Sequence, residues 1–214
     1  PVEIVDNPVN TTHYAGGNVT LSCNASGIPL PTFQWYKNNQ LITPNDRVYL
    51  TTLIHIETLI ESLVESVLVF NNIVLSDDDN YHCQATNPGA HDRIFNVFSQ
   101  SVRLTVQYPP NVTTLEPREI IINQTEPANF TCQAYGIPTP SINWINVSSG
   151  SIVQPVSGLI DIMETLLPPT TLQSVLVFSN GLKTDESIYT CIGINNIINI
   201  IQSPEQDNIT LLVQ

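Results

Sequence analysis

The chain repeats itself, and the repeat is what most limits its fold. Cys23-Asn-Ala-Ser-Gly-Ile-Pro-Leu-Pro-Thr-Phe-Gln-Trp35 is matched in spacing and largely in residues by Cys132-Gln-Ala-Tyr-Gly-Ile-Pro-Thr-Pro-Ser-Ile-Asn-Trp144. Further on, Ser66-Val-Leu-Val-Phe70 recurs as Ser174-Val-Leu-Val-Phe178, and Asp77 to Cys83 is answered by Asp185 to Cys191, with one residue deleted between the two blocks. A unit present twice in 214 residues is about 100 residues long, enough to bury a core of its own. Two domains are expected, at residues 1–107 and 111–214, joined by a short linker at 108–110.

Each unit reads as strands. Val19, Leu21, Cys23 and Ala25 alternate with polar residues, as do Ala128, Phe130, Cys132 and Ala134, and a period of two places each set on one face of a sheet. The Gly-Ile-Pro-x-Pro segment then interrupts pairing, because proline supplies no N–H. A new strand follows, with Phe33 and Trp35, or Ile142 and Trp144, facing inward. One segment competes with this reading. Ile56, Leu59, Ile60, Leu63 and Val67, with Glu57, Glu61 and Glu65, have helical spacing. The matching stretch of the second copy holds Pro168 and Pro169, which break helices, so strands are expected there too.

Four cysteines are open to three uses: disulfides, a metal site or reactive thiols. Cys23, Cys83, Cys132 and Cys191 stand about fifty or more residues apart, whereas zinc sites hold at least two ligands within a few residues. Disulfides are the favoured use.

Cys, Trp twelve residues later, then Asp-x-x-x-Tyr-x-Cys, twice over the whole chain, resembles the immunoglobulin superfamily. The resemblance implies an all-β protein: two immunoglobulin-like Greek-key β-sandwiches in tandem, extracellular, with Cys23 bonded to Cys83 and Cys132 to Cys191. Trp35 and Trp144 would pack on these bridges, and Tyr81 and Tyr189 would form tyrosine corners. Each bridge would close about sixty residues and contribute about 4 kcal/mol in the chain-entropy account. Leu68, Phe70 and Ile73 resemble strand E, and Cys83-Gln-Ala-Thr-Asn-Pro-Gly resembles an I-set strand F with its turn; I-set is the first choice and V-like the second. The second copy departs in two places, with Gly181 where the first has Ile73, and Cys191-Ile-Gly-Ile-Asn lacking the usual Ala. Arg47 is expected to pair with Asp77, and no Arg stands in the matching stretch of the second copy. Gln107-Tyr-Pro-Pro-Asn111, with two prolines and no glycine, implies a semi-rigid joint and an elongated tandem.

Catalytic signatures are missing from the sequence: it has no Gly-x-Ser-x-Gly elbow, phosphate-cradling glycine loop or His-Glu-x-x-His stretch. His13, His55, His82 and His91 are scattered. Asp77-Asp78-Asp79 reads as part of the corner motif and its turn, not as a calcium site. No enzyme, cofactor or metal is expected. A net charge of −13 disfavours nucleic acid and anionic membranes, and no apolar run approaches the roughly 20 residues needed to cross a bilayer. Pro1 to Asn10 has no basic, apolar leader, so any membrane anchor is expected outside this stretch.

Asn-x-Ser/Thr acceptors stand at Asn10, Asn18, Asn24, Asn111, Asn123, Asn129, Asn146 and Asn208, and support secretion. The first three fall in opening strands that the resemblance assigns to the ABED sheet. The opposite GFCC′ face would then be bare, displaying Gln34, Tyr36, His82, Gln84 and Arg103, with Arg93 and Phe95 near the F to G turn. Tyr and Arg are the residues that anchor protein interfaces. A protein partner is therefore expected at this face, another copy of the chain included. In the second domain, Ile192 to Ile201 is read as alternating into the core. The expected function is adhesion or recognition by the ectodomain of a single-pass plasma-membrane protein. The alternative is the ligand-binding ectodomain of a receptor tyrosine kinase.

Overall fold

The strand carrying the first cysteine shows how these residues build a sheet. In β3 (Val19–Ser26) Val19, Leu21, Cys23 and Ala25 are buried and the residues between them are not, the two-residue period of a strand with one face on a core. The computed structural model describes residues 2–56, 62–88, 94–197 and 205–214. They form two units, Pro1–Gln107 and Tyr108–Gln214.

The first unit stacks two sheets. One has the antiparallel order β1 (Glu3–Asp6), β3, β7 (Ser62–Phe70), β6 (Val48–Ile56). In the other, β2 (Thr11–Tyr14) runs parallel to the start of β10 (Val102–Thr114). Next come β8 (Asp79–Pro88), β4 (Thr32–Lys37) and the two-residue β5 (Gln40–Leu41), with β9 (Ile94–Phe98) taking over the pairing to β8 beyond β10. Residues 42–47 form no strand, so the C″ strand of a V-like domain is missing. The segment with helical spacing is strand wherever it is described: Ile56 ends β6, and Leu63 and Val67 lie in β7. Residues 57–61 lie outside the described residues.

The second unit repeats the plan. The end of β10 pairs with β12 (Ala128–Ile137), followed by β16 (Thr171–Phe178) and β15 (Ile160–Leu167). Facing them, β11 (Glu119–Ile122) runs parallel to β18 (Gln206–Val213), followed by β17 (Ser187–Ile194), β13 (Ser141–Asn146) and β14 (Ser151–Ile152). Residues 108–110, read from the sequence as a linker, lie inside β10, and Tyr108 pairs with Ile137. The two prolines fall where the register shifts between Tyr108 and Asn111, so their missing N–H groups leave no ladder position empty.

Both cores are built around the same side chains. Cys23 is bonded to Cys83 and Cys132 to Cys191, with Cα separations of 6.5 and 6.4 Å, and no cysteine is free. Trp35 and Trp144 are 1% exposed, and a buried indole N–H needs an acceptor. Trp35 Nε1 donates to Ser66 Oγ at 3.0 Å, and Trp144 Nε1 to Ser174 Oγ at 3.0 Å. The Tyr81 hydroxyl donates to the Asp77 carbonyl and the Tyr189 hydroxyl to that of Asp185, each at 2.7 Å, so both corners are formed. Burial, and then the nearby carboxylates, raises the Tyr81 phenol. Burial and then Asp185 push Tyr189 up to about 12.

Arg47 grips Asp77 with both ends of its fork, at 2.5 and 3.0 Å. Asp185, which has no arginine, accepts the Leu182 N–H at 2.8 Å. Gly181 has a packing reason. A Cβ there would sit 2.2 Å from Ile122 Cδ1 and 3.1 Å from the Glu126 carbonyl. Ile122, on β11, thus fills the space that Ile73 fills in the first unit. The hydrogen bonds mark the equivalence: Ile73 exchanges backbone bonds with Gly16 and Gly17, and Gly181 with Thr125 and Glu126. In the isoleucine-rich stretch Ile197 is 2% exposed, Ile192 is half-buried and Ile194 is exposed. Ile198, Ile200 and Ile201 lie outside the described residues.

Candidate functional site

The pairing of β4 with β8 dictates what its outer face shows. Trp35 opposite Cys83 points into the core, so the next pair, Tyr36 opposite His82, and the pair Gln34 opposite Gln84 turn outward. The Tyr36 and His82 rings stack with centroids 5.1 Å apart and planes 4° from parallel. Phe98 closes the cluster edge-on, 6.2 Å from Tyr36 and 5.8 Å from His82. The Tyr36 hydroxyl donates to Gln84 Oε1 at 2.8 Å and lies 3.1 Å from the Gln34 amide oxygen. A hydroxyl has one proton, so turning the Gln34 amide to donate satisfies all three groups. Burial holds His82 below its ordinary value, which keeps a neutral ring on Tyr36 near pH 7.

Of the residues expected on this face, Gln34, Tyr36, His82 and Gln84 come together, although Gln84 is only 8% exposed and serves as a support. Arg103 shares this outer face, opposite Asn80 on β8, but is engaged there. Its guanidinium is bonded to Asp78 and lies 4.0 Å from Asp79, while its backbone N–H donates to Asn10 Oδ1. Phe95 sits opposite Asn87, out of phase with Phe98 and so away from the cluster, and is 40% exposed. Arg93 lies outside the described residues.

The aromatic residue that joins the cluster is Phe98, which the sequence reading missed. Val102 stands opposite Tyr81, whereas Phe98 stands opposite Gln84. The pairing slips by one residue between β10 and β9, which reverses the faces. Ser99 marks the slip: its backbone N–H donates to the Cys83 carbonyl, and its hydroxyl accepts the Cys83 N–H. A pair of serines at 99 and 101 around one Gln is a poor strand segment, the only signal the sequence held.

Two sequons are less open than the other six. Asn24 is half-buried beside β1, and its Nδ2, the atom a glycan would take, donates to Asp6 at 2.9 Å. Asn146 is half-buried as well, accepting from the Ser187 hydroxyl and the Ser149 N–H, with its Nδ2 3.5 Å from the Tyr189 hydroxyl. Asn10, Asn18, Asn111, Asn123, Asn129 and Asn208 are exposed. Asn10 is not on the β1–β3–β7–β6 sheet, since it immediately precedes β2 and bonds the β10 backbone.

Each carboxylate of the Asp triplet has an internal partner: Asp77 holds Arg47 and the Val74 N–H, Asp78 holds Arg103 and the Val106 N–H, and Asp79 holds the Asn80 N–H. Every cation among the described residues is similarly taken. Lys37 bonds the Ser76 carbonyl, Arg118 bonds Asp207, and Lys183 bonds Glu186 and the Val213 carbonyl.

The family model of the immunoglobulin domain matches residues 2–87 and again 109–195. The chain belongs to the immunoglobulin-domain family. Within it, human hemicentin-1 is 32% identical over 144 residues, covering 67% of this chain and 2% of that protein. Mouse neogenin is 26% identical over 204 residues, covering 93% and 12%. Neural cell adhesion molecule L1 of Takifugu rubripes is 26% identical over 206 residues, covering 96% and 14%. The chain therefore spans only a small part of each relative, 14% at most among these three. Two titin structures share the immunoglobulin tandem fold. They are the I-band fragment I67–I69, at TM-score 0.64 and 22% identity over 100% of this chain and 65% of that one, and A168–A169, at TM-score 0.59 and 21% identity over 100% and 98%.

Proposed function

We propose that the chain is part of the extracellular region of a single-pass cell-surface protein that works in adhesion or recognition, and that the outer face of β4, β8 and β9 binds a protein. The observation that carries this reading is the cluster of Tyr36, His82 and Phe98. Its rings are locked by stacking and by the Tyr36 hydroxyl bonds, while Phe98 remains 56% exposed. An ordered, amphipathic aromatic surface loses little conformational entropy on binding, and such residues dominate interface energetics. No sequon lies on β4, β5, β8 or β9. An oxidised compartment, which the two disulfides require, fits the extracellular setting. So do relatives such as the neural cell adhesion molecule.

Another copy presenting the same face about a two-fold axis is the partner first to be tested. The test uses a Tyr36→Ala/Phe98→Ala double variant, compared with the parent chain by sedimentation and by staining of intact cells. At least a tenfold loss of cell staining is the expected result, and a matching loss in sedimentation would identify the partner at this face as another copy. Unchanged binding in both, with an unchanged melting temperature, would remove the reading.

A further inference from the structure

Strand β6 is the outer strand of its sheet, with β7 on one side and, among the described residues, no strand on the other. The hydrogen bonds at its start reveal which backbone groups point outward. The Arg47 carbonyl accepts the Asn71 N–H across the ladder at 2.9 Å, so by antiparallel alternation Tyr49, Thr51 and Leu53 turn their backbone groups towards β7. Val48, Leu50, Thr52 and Ile54 turn theirs to the open side. Val48 fits this phase: its N–H donates to Asn45 Oδ1 at 2.8 Å, and its carbonyl accepts the Asn45 N–H at 2.7 Å. That loop closes the edge at Val48 only. No described residue bonds the outward groups of Leu50, Thr52 and Ile54.

Such an edge is a template for another strand, and proteins usually guard it with charge or proline. Here the guard is missing. Val48-Tyr-Leu-Thr-Thr-Leu-Ile-His-Ile56 contains no Asp, Glu, Lys, Arg, Pro or Gly, and Leu53 and Ile54 are 52% and 55% exposed. The corresponding edge of the second unit, β15, has Asp161 and Glu164 exposed on it. The sequons of the first unit lie away from β6, beyond β7 or on the other sheet.

We propose that this edge pairs antiparallel with the same edge of a second copy, about a two-fold axis through Thr52. In that register Thr52 faces Thr52 with both outward N–H and C=O groups exchanged. Leu50 then meets Ile54 and Thr51 meets Leu53, pairs that stabilise neighbouring strands. Self-pairing is favoured by the stretch's own match: about Thr52 the apolar Leu50 and Ile54 meet, and no charged side chain stands opposite its like. That local absence of charge lets two copies meet here despite a net charge of −13 on each. The contact is isologous and closes at two.

Thr52→Cys provides the test, because all four native cysteines are bonded and an antiparallel hydrogen-bonded pair brings Cα atoms to about 5.5 Å, within disulfide reach. Under mild oxidation it is expected to form a covalent dimer at least tenfold faster than Thr165→Cys on β15. In sedimentation, Ile54→Lys and Thr52→Pro are expected to weaken dimerisation at least tenfold while Tyr36→Ala/Phe98→Ala leaves it unchanged. Thermal melting checks the fold of each variant, and Ile54→Lys keeps the test standing if the proline variant does not fold. A monomeric parent chain, equal cross-linking rates for the two cysteine variants, or a dimer lost with Tyr36→Ala/Phe98→Ala instead of the edge variants would overturn the proposal.

Discussion

The indole N–H of Trp35 donates to the hydroxyl of Ser66 across the core at 3.0 Å, and both residues are at most 1% exposed. Removing the hydroxyl leaves a buried donor with no acceptor. Ser66→Ala is therefore expected to cost about 1–3 kcal/mol, and Ser174→Ala a similar amount in the second unit, read from urea unfolding. A Ser66→Ala/Trp35→Phe pair should cost less than the two changes added, because the stranded N–H is gone as well.

Gly181 and Ile122 form a second coupled pair. Gly181→Ala places a methyl 2.2 Å from Ile122 Cδ1, and overpacking of this kind costs about 1–3 kcal/mol. Adding Ile122→Ala should recover part of the loss, which a double-mutant cycle by denaturant titration would show as a coupling energy of opposite sign.

The acid side of the stability curve should report His82. Burial lowers its value in the folded chain relative to 6.5, so the unfolded chain binds the proton more readily. The stability this contributes is present above the unfolded value and is lost as the pH falls through the folded one. Tyr36→Ala uncovers the ring, and an NMR titration should then find His82 moved back towards 6.5.

At the alkaline end the sign reverses. The Tyr189 phenol, raised from 10.0 to about 12 by burial and then by Asp185, contributes stability that is intact below pH 10 and disappears as the pH climbs through the folded value. Tyr189→Phe should lower the stability of the second unit at neutral pH by about 0.5–1.5 kcal/mol, the value of one hydrogen bond. It should also flatten the decline above pH 10, as followed by circular dichroism.

Glycan occupancy should follow exposure of the amide. Expressed in a secretory host, the chain should carry sugar at the exposed asparagines and lack it at Asn24 and Asn146, whose amides are held by Asp6 and by the Ser187 and Ser149 bonds. Mass mapping after enzymatic deglycosylation reads this directly. High occupancy at Asn24 would mean that β1 leaves β3.

Much of the fold was legible because its determinants are local or periodic: Cys23, Trp35, Tyr81 and Cys83 announce themselves by spacing, and their duplicates confirm the frame. The Trp35–Ser66 bond was not legible. Ser66 was visible as the head of a repeated pentapeptide, but that its hydroxyl meets an indole depends on two sheets facing one another. The binding face was half legible. Tyr36 and His82 follow from unbroken alternation along β4 and β8, whereas Phe98 depends on a one-residue slip at Ser99, and counting through that slip points to Phe95. Arg103 was placed on a strand correctly, but what ties it down, Asp78, comes from a turn 25 residues earlier.

The internal partners of Lys37, Arg47, Arg103, Arg118 and Lys183 have an effect that reaches beyond the surface. With its described cations held by internal partners and a net charge of −13, the chain presents an excess of negative charge to anything approaching through solution. A basic ligand would be drawn in, and its arrival would slow as ionic strength rises; an identical molecule would be held off, and added electrolyte would let it come closer. Varying sodium chloride alone therefore tells, before any residue is changed, which of these two kinds of visitor the protein receives.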